Sequence, residues 1–244
     1  NPEVSGRGIQ KLRDAGIEVE TGIMEKEGHE LNRRFFTFHK HKRPYIIFKW
    51  AQSSDGFIDI IRDADAPIQP NWITNPMGRI WVHKWRSREP AIMVGRKTAE
   101  KDNPRLNTRD WPGKSPLRIV IDTHLRLTNS LKLFDRSFPT LVYNQQLSQQ
   151  EENLEYVQIP KNTASLSFIL NDLYKRNIQS LIVEGGSQLI NDFIKQDLWD
   201  EARVFCGDTF FHEGVRAPVL PAKPSKEEAV GNARLFYFRN SIKP

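Results

Sequence analysis

What most constrains this chain is a series of short apolar runs, each bounded by turn residues or a helical repeat. Tyr45-Ile46-Ile47-Phe48-Lys49-Trp50-Ala51, Ala91 to Gly95, Leu117 to Asp122, Thr140 to Asn144 and Ser180 to Val183 are such runs. Near-continuous hydrophobicity over so few residues predicts strands buried on both faces, which occur in sheets covered by helices. Between the runs lie helical periods. Asn75-Pro76 is an N-cap followed by a first-turn proline, predicting a helix to about Ser87 that buries Met77, Ile80, Trp81 and Trp85. Ser165 to Arg176 places Leu166, Ile169, Leu170 and Leu173 on one face, and Leu189, Ile190, Phe193 and Ile194 do the same further on. Leu154 to Ile159, Ala202 to Cys206 and Arg234 to Arg239 complete the set of strands. The chain reads as an α/β fold, a mixed sheet with helices on both faces.

The first forty or so residues differ. Ile9 to Ala15 reads as a short helix closed by Gly16, Ile17 to Ile23 as an alternating strand, and Glu25 to His39 as a charged helix. One strand and two helices cannot bury their own faces, so residues 1–43 form an incomplete unit and 44–244 the main body.

Several residue groups stand out chemically. Val183-Glu184-Gly185-Gly186-Ser187 ends a strand and opens a helix, where glycines admit a close ligand and the helix N-terminus favours a phosphate. The same junction also serves plain packing. Lys49 lies inside an apolar strand, and an unpaired ammonium there is costly, so it should reach a cleft. Ser53, Asp55 and Gly56 follow it, though Asp-Gly is also a common turn pair. Arg79, His83 and Arg86 share one helical face, as a ligand-facing or an ordinary solvated basic surface. Gly95-Arg96-Lys97-Thr98 and Asp102 to Arg109 read as a long loop after a strand, where open α/β sheets bind ligands. There one carboxylate, Asp102, sits among Arg96, Lys97, Arg105 and Arg109. That mixture suits a sugar phosphate, with a structural Asx-turn at Asp102 as the alternative.

Composition narrows the function. The net charge of +6 is spread along the chain, with local density only at Arg33-Arg34 and Lys40-His41-Lys42-Arg43. An anionic ligand or cofactor would call for this charge as readily as a nucleic acid. No apolar run approaches the roughly 18 residues of a membrane span. The single cysteine, Cys206, forms no intramolecular disulfide, and the histidines show no metal-ligand spacing, so no metal and a cytoplasmic setting are expected. A Gly-x-Gly-x-x-Gly fingerprint, a Gly-x-Ser-x-Gly elbow and a Ser-His-Asp arrangement are all missing.

Taken in order, these segments resemble the reductase domain of the bifunctional riboflavin-biosynthesis deaminase/reductases. The resemblance runs from Pro44 to about Leu220. It rests on Lys49 with Ser53-x-Asp55-Gly56, Trp72-Ile73-Thr74, His83-x-x-Arg86, Gly95-x-x-Thr98, Asp102-Asn103-Pro104-x-Leu106-x-x-Arg109, Arg118 to Asp122 and Val183-Glu184-Gly185-Gly186. Asn1-Pro2-x-Val4-x-Gly6-x-Gly8, Ala15-Gly16-Ile17-x-Val19 and Leu31-Asn32-x-x-Phe35-Phe36 are similar to the close of the deaminase domain. That domain's zinc signature is absent, so deaminase activity is not expected of these residues.

The resemblance implies a dihydrofolate-reductase-like fold preceded by a partial cytidine-deaminase-like segment. It also implies NADPH-dependent reduction of 5-amino-6-(5-phosphoribosylamino)uracil to its ribitylamino counterpart, with hydride delivered to ribose C1′. It places Ala51, Trp72, Thr98, Asp102, Gly185, Gly186, Ser187, Gln188 and Leu189, in a stretch reaching Asp192, beside NADPH. Arg86, Asn103, Leu106, Arg109 and Glu184 fall at the substrate, the arginines at its phosphate, and Lys49, Asp102 and Glu184 at the reacting end. A homodimer is expected on the same ground. Pro70-Asn71 depart from the family's commoner small polar residue before the tryptophan, and Gln52 from a frequent alanine. A same-fold reductase of a pterin or another pyrimidine, and a non-catalytic basic RNA-binding module, are the alternative readings.

Overall fold

The apolar runs at 45–51, 91–95, 117–121, 140–144 and 180–183 lie side by side as strands of one sheet. The computed structural model describes residues 6–63 and 67–240. Helices α1 (Arg7–Asp14), α2 (Glu25–Leu31) and α3 (Arg33–His41) precede strands β1 (Tyr45–Gln52) and β2 (Phe57–Asp59). Then come α4 (Pro76–Arg86), β3 (Ala91–Gly95), α5 (Arg96–Asp102), β4 (Leu117–Ile121), β5 (Thr140–Asn144), β6 (Gln149–Glu151) and β7 (Leu154–Gln158). Next are α6 (Ser165–Lys175), β8 (Ser180–Val183), α7 (Ser187–Lys195), β9 (Glu201–Cys206), β10 (Val215–Arg216), β11 (Pro224–Val230) and β12 (Ala233–Arg239).

Ten strands form the main sheet in the order β11-β12-β9-β1-β8-β3-β4-β5-β7-β6, and β10 pairs with β2 separately. From β9 through β7 the neighbours are parallel, while β11, β12 and β6 run antiparallel at the margins. This is the mixed α/β sheet with flanking helices that the sequence predicts. Alternation splits each central strand between two cores. In β1, Ile46, Phe48 and Trp50 pack with Leu166, Ile169 and Leu173 of α6 and with Ile190 and Phe193 of α7. Tyr45 and Ile47 face the opposite side, with Val82 and Trp85 of α4 and Ala99 of α5. Lys49 continues that second face.

Several expectations need correction. No strand forms over 17–22, and Ile17 and Ile23 are exposed. An alternating run makes a strand only beside another that satisfies its backbone, and this one has no such neighbour. The charged helix from Glu25 divides at Asn32, whose side-chain amide donates to the Gly28 carbonyl (3.0 Å) and competes with the helical ladder. Helix α4 is rotated from its expected setting. Met77 and Ile80 are exposed, whereas Gly78, Val82 and Trp85 are buried. A Cβ at Gly78 would lie 3.1 Å from the Thr74 Cβ and 3.5 Å from the Phe205 ring, so the helix approaches the sheet at its glycine. The stretch after Gly95 is helix α5 and not loop, ending at Asn103 in left-handed conformation (φ 40°). Strands β2, β6, β10 and β11 carry too little apolar periodicity to be read from sequence, and β11 is largely exposed at the sheet edge.

The N-terminal helices dock through α3. Phe38 is buried and packs on the Tyr174 ring at 4.7 Å. Arg34 forks onto Glu89, and just beyond the helix Arg43 forks onto Asp200 (2.6 and 2.9 Å). Positions Asn1, Pro2 and Val4 of the deaminase-like pattern lie outside the described residues.

Candidate active site

The C-terminal ends of β1, β8, β3 and β4 open into one cleft of about 910 Å³. Ligand sites in open parallel sheets form at that edge. Parallel register brings the first pair of charges together. Phe48 lies beside Val183, so Lys49 and Glu184 follow as neighbours. Both point to the α4 side of the sheet by alternation.

Glu184 is tied to helix α4. Arg86 Nε and Nη2 donate to its two carboxylate oxygens (3.0 and 2.6 Å), and Nη1 donates to the Asn107 carbonyl (3.2 Å). Burial alone would raise the Glu184 carboxyl, but Arg86 and Lys49 outweigh it and hold it at about 2. It is therefore a carboxylate at neutral pH. Burial pushes the Lys49 ammonium below its ordinary value; Glu184 and Asp102 oppose that shift and Arg86 adds to it.

One turn before Arg86, His83 is almost fully buried. Burial, reinforced by Arg86 and Arg109, lowers it to about 4, so the ring is neutral at pH 7. Its Nδ1 accepts the Arg109 backbone N–H (3.2 Å), which leaves the proton on Nε2, 3.3 Å from Asp110 Oδ2. The imidazole thereby fixes the loop that presents Arg109. The Arg109 side chain is 41 % exposed, with Nη1 donating to Asn107 Oδ1 at 3.3 Å. The two arginines are thus divided: Arg86 is committed to Glu184, and Arg109 reaches into the open cleft.

The loop between α5 and Arg109 folds back through two left-handed residues, Asn103 (φ 40°) and Leu106 (φ 52°). Asn103 Oδ1 accepts the Lys132 N–H (2.7 Å), and Leu106 is buried under the cleft floor. A left-handed leucine is a strained position, held here by the core beneath it. At the end of α5, Arg62 Nη2 donates to Asp102 (3.1 Å). Burial dominates and raises the Asp102 carboxyl to about 6, against the pull of Arg62.

The Gly-Gly junction closes the other side. Gly185 (φ +112°) and Gly186 (φ +67°) lie against Thr98, and a Cβ on either would stand 3.1 to 3.3 Å from its side chain. Only glycine gives both the conformation and the clearance. Helix α7 begins directly after them, its first N–H groups lacking partners within the helix.

The residues that the resemblance names at the cofactor, the substrate and the reacting end all line this cleft: Lys49 and Ala51 from β1, Trp72 before α4, Arg86 on α4, Thr98 and Asp102 on α5. Asn103, Leu106 and Arg109 follow from the loop, with Glu184, Gly185, Gly186, Ser187, Gln188 and Leu189 from the junction. Ser53 and Asp55 do not. The Ser53 hydroxyl donates to Asp55 (2.6 Å), which also accepts the Phe211 and His212 N–H groups, so they staple a turn. Arg118 is structural as well, donating to Thr140, Asp135 and the Lys132 and Phe138 carbonyls. Asp59, Arg62 and Asn71 also line the cleft and carry no motif.

The sequence of residues 44–221 matches the RibD C-terminal domain family. The riboflavin biosynthesis protein RibD of Aquifex aeolicus is 37% identical over 98% of this chain and 70% of its own length. That of Synechocystis sp. is 33% identical over 89% of the chain and 59% of its own length. The crystal structure of a diaminohydroxyphosphoribosylaminopyrimidine deaminase/5-amino-6-(5-phosphoribosylamino)uracil reductase from Thermotoga maritima superposes with a TM-score of 0.84 at 31% identity. The match covers 98% of this chain and 68% of that one.

Proposed function

This chain belongs to the RibD C-terminal domain family, and from that premise we propose that it reduces 5-amino-6-(5-phosphoribosylamino)uracil to the ribitylamino product using NADPH. One observation carries the reading. The cleft joins a glycine junction at a helix N-terminus to a cluster of Lys49, Glu184, Arg86 and Asp102, with Arg109 in its opening.

The residues present fit a dinucleotide. Gly185 and Gly186 carry the backbone past Thr98 with no room for a side chain, and the first turn of α7 offers N–H donors suited to a diphosphate. Ala51, Trp72, Thr98, Asp102 and residues 185–189 would hold it. When bound, NADPH supplies the hydride that C1′ of the sugar receives.

The protein's own residues orient the substrate and move one proton. Arg109 takes the phosphate through charge-assisted hydrogen bonds. Glu184, fixed by Arg86 and ionised throughout the neutral range, accepts N–H donors of the pyrimidine. Leu106 and Asn103 shape the floor beneath it. Opening of the ribose breaks C1′–O4′ as the glycosylamine N–H proton passes to O4′ and the C1′=N imine forms; a hydride equivalent would saturate C1′, with the one proton consumed overall going to the nitrogen. Asp102, titrating near 6, is the group suited to carry that proton. Lys49 polarises the opening sugar from beside Glu184. We read residues 44–244 as the reductase unit, 1–43 as a deaminase-related segment without activity of its own, and the assembly as a homodimer.

The test is NADPH oxidation followed by absorbance with the phosphoribosylamino-pyrimidine present or absent. Consumption that requires this pyrimidine and yields the ribityl compound supports the proposal. Nucleotide binding without consumption points to another pyrimidine or a pterin, and absence of nucleotide binding refutes the reading.

A further inference from the structure

The segment after β2 sends one residue back to the cleft. The Arg62 side chain is only 9 % exposed. Its Nε and Nη2 both donate to Asp59 Oδ1 (3.1 and 2.9 Å), and Nη2 also donates to Asp102 Oδ1 (3.1 Å). Nη1 donates to the carbonyls of Gln69 (2.7 Å) and Lys101 (3.1 Å). A planar guanidinium engaged on all three nitrogens has little freedom to turn toward a ligand. Of the groups it touches, Asp102 is the one given a part in the reaction.

Among the described residues, charged groups face Asp102 from three sides. Arg62 and Asp59 approach from β2 and the segment beyond it, Lys101 from its own helix and Lys49 from β1. Arg62 and Lys101 favour the ionised carboxyl, and Asp59 opposes it. Arg62 sits between two carboxylates, so each competes for its charge.

We infer that Arg62, held by Asp59, is a positioning residue that aims the Asp102 carboxyl into the cleft and governs its charge. This rests on the reading of Asp102 as the proton carrier. The pairing itself does not depend on that reading.

The experiment is a carboxyl-carbon NMR titration of Asp102 in the nucleotide-free full chain, compared among wild type, Arg62→Gln, Arg62→Lys and Asp59→Asn. In Arg62→Gln the carboxylate loses its cation, and the midpoint rises by about one pH unit. In Asp59→Asn it loses a like charge, and the midpoint falls. Arg62→Lys keeps the charge without the fork and lies between wild type and Arg62→Gln. Simple loosening of the loop would hydrate Asp102 and lower the midpoint toward an ordinary aspartate, about 3.9, in every variant. The opposite signs therefore separate control of charge from mere structure.

An unmoved or lowered midpoint in Arg62→Gln overturns the inference. The pH profile of kcat/KM is measured on the same proteins. A falling limb that moves with the NMR midpoint ties Arg62 to the reaction through Asp102. A limb that stays while the midpoint moves removes Asp102 as proton carrier and leaves the Arg62 pairing standing.

Discussion

At the scale of single residues, the site divides its charges by burial. Glu184 and Arg86 are both about nine-tenths buried and satisfy each other through two hydrogen bonds. Arg109 is less buried and meets its nearest carboxylate, Asp110, only at 3.9 Å. Replacing Arg109 with alanine should remove a charge-assisted contact of about 1.5–3 kcal/mol, raising the substrate KM roughly ten- to hundredfold with kcat changed far less. Steady-state kinetics check this, and an unchanged KM takes Arg109 out of the site. Asp102→Asn should cut turnover by about 10²- to 10⁴-fold while the folded state persists, since it keeps the shape and loses the proton. Near-normal turnover would contradict the role given to Asp102. Lys49 and Glu184 were legible because a charge inside or ending an apolar strand needs a reason to be there. Arg62 and Asp59 were not legible, because their segment has no period and their meaning arises only from contact with a residue forty positions away. Ser53 and Asp55 illustrate the converse. The motif is real, but its hydrogen bonds close a turn.

At the scale of elements, strand limits are legible in the sequence where both faces are buried and illegible at the exposed edge. The run Ser180 to Val183 is β8 as expected, because four consecutive buried residues leave no alternation to misread. Helix α5 leaves no sequence signature, since it starts directly at a strand end, without a capping side chain, and has a single buried residue, Ala99. The apolar pattern of helix α4 points its tryptophans and methionine at the sheet, whereas Gly78 sets the actual angle of approach. The glycine cradle yields a prediction of its own. Gly185→Ala puts a methyl 3.1 Å from Thr98 at a φ of +112°, costing about 1–3 kcal/mol and shifting the junction. Thermal melting should show the loss and nucleotide titration a weaker Kd; wild-type values in both would contradict the close packing described. Helix α3 depends on Glu89, which accepts from Arg34 and from Ser180 Oγ (2.6 Å) and lies 3.8 Å from Arg203. Arg34→Ala leaves this buried carboxylate short of a partner and should cost about 1.5–3 kcal/mol in urea unfolding. A smaller loss would mean that Arg203 compensates fully.

At the scale of the whole molecule, the buried titratable groups act against one another with pH. His83 titrates near 4 in the folded chain against an ordinary 6.5. Between those values the unfolded chain binds a proton that the folded chain refuses, so stability falls as pH drops from 6.5 toward 4. Asp102 has the opposite sign. Its folded value of about 6 exceeds the ordinary 3.8, so the folded chain binds the extra proton and stability rises as pH falls through 6. The Glu184 and Glu201 carboxyls are held at about 2 against an ordinary 4.5. The stability they confer is complete above 4.5 and is lost as pH falls toward 2. Urea midpoints should therefore fall only shallowly from about pH 6 to 4, where Asp102 offsets His83 while the lowered His41 adds to the loss, and drop more steeply below that. In Asp102→Asn the offset disappears, and the decline should begin near 6.5. A wild-type decline of equal steepness from neutrality down would contradict this balance. The α/β class of the molecule was evident from its apolar runs. The order of strands was not, because hydrogen-bonded neighbours such as β1 and β8 are far apart in the chain and no local pattern records their pairing.

The central claim is that this cleft delivers a hydride to the sugar carbon of a phosphorylated ribosylaminopyrimidine. The most direct measurement uses NADPH deuterated at the transferable position, with the product analysed by NMR. One deuteron at C1′ of a ribityl product, formed in step with nucleotide oxidation, is the result expected. Nucleotide oxidation without deuterium at C1′, or no oxidation when both ligands are present, would contradict the account.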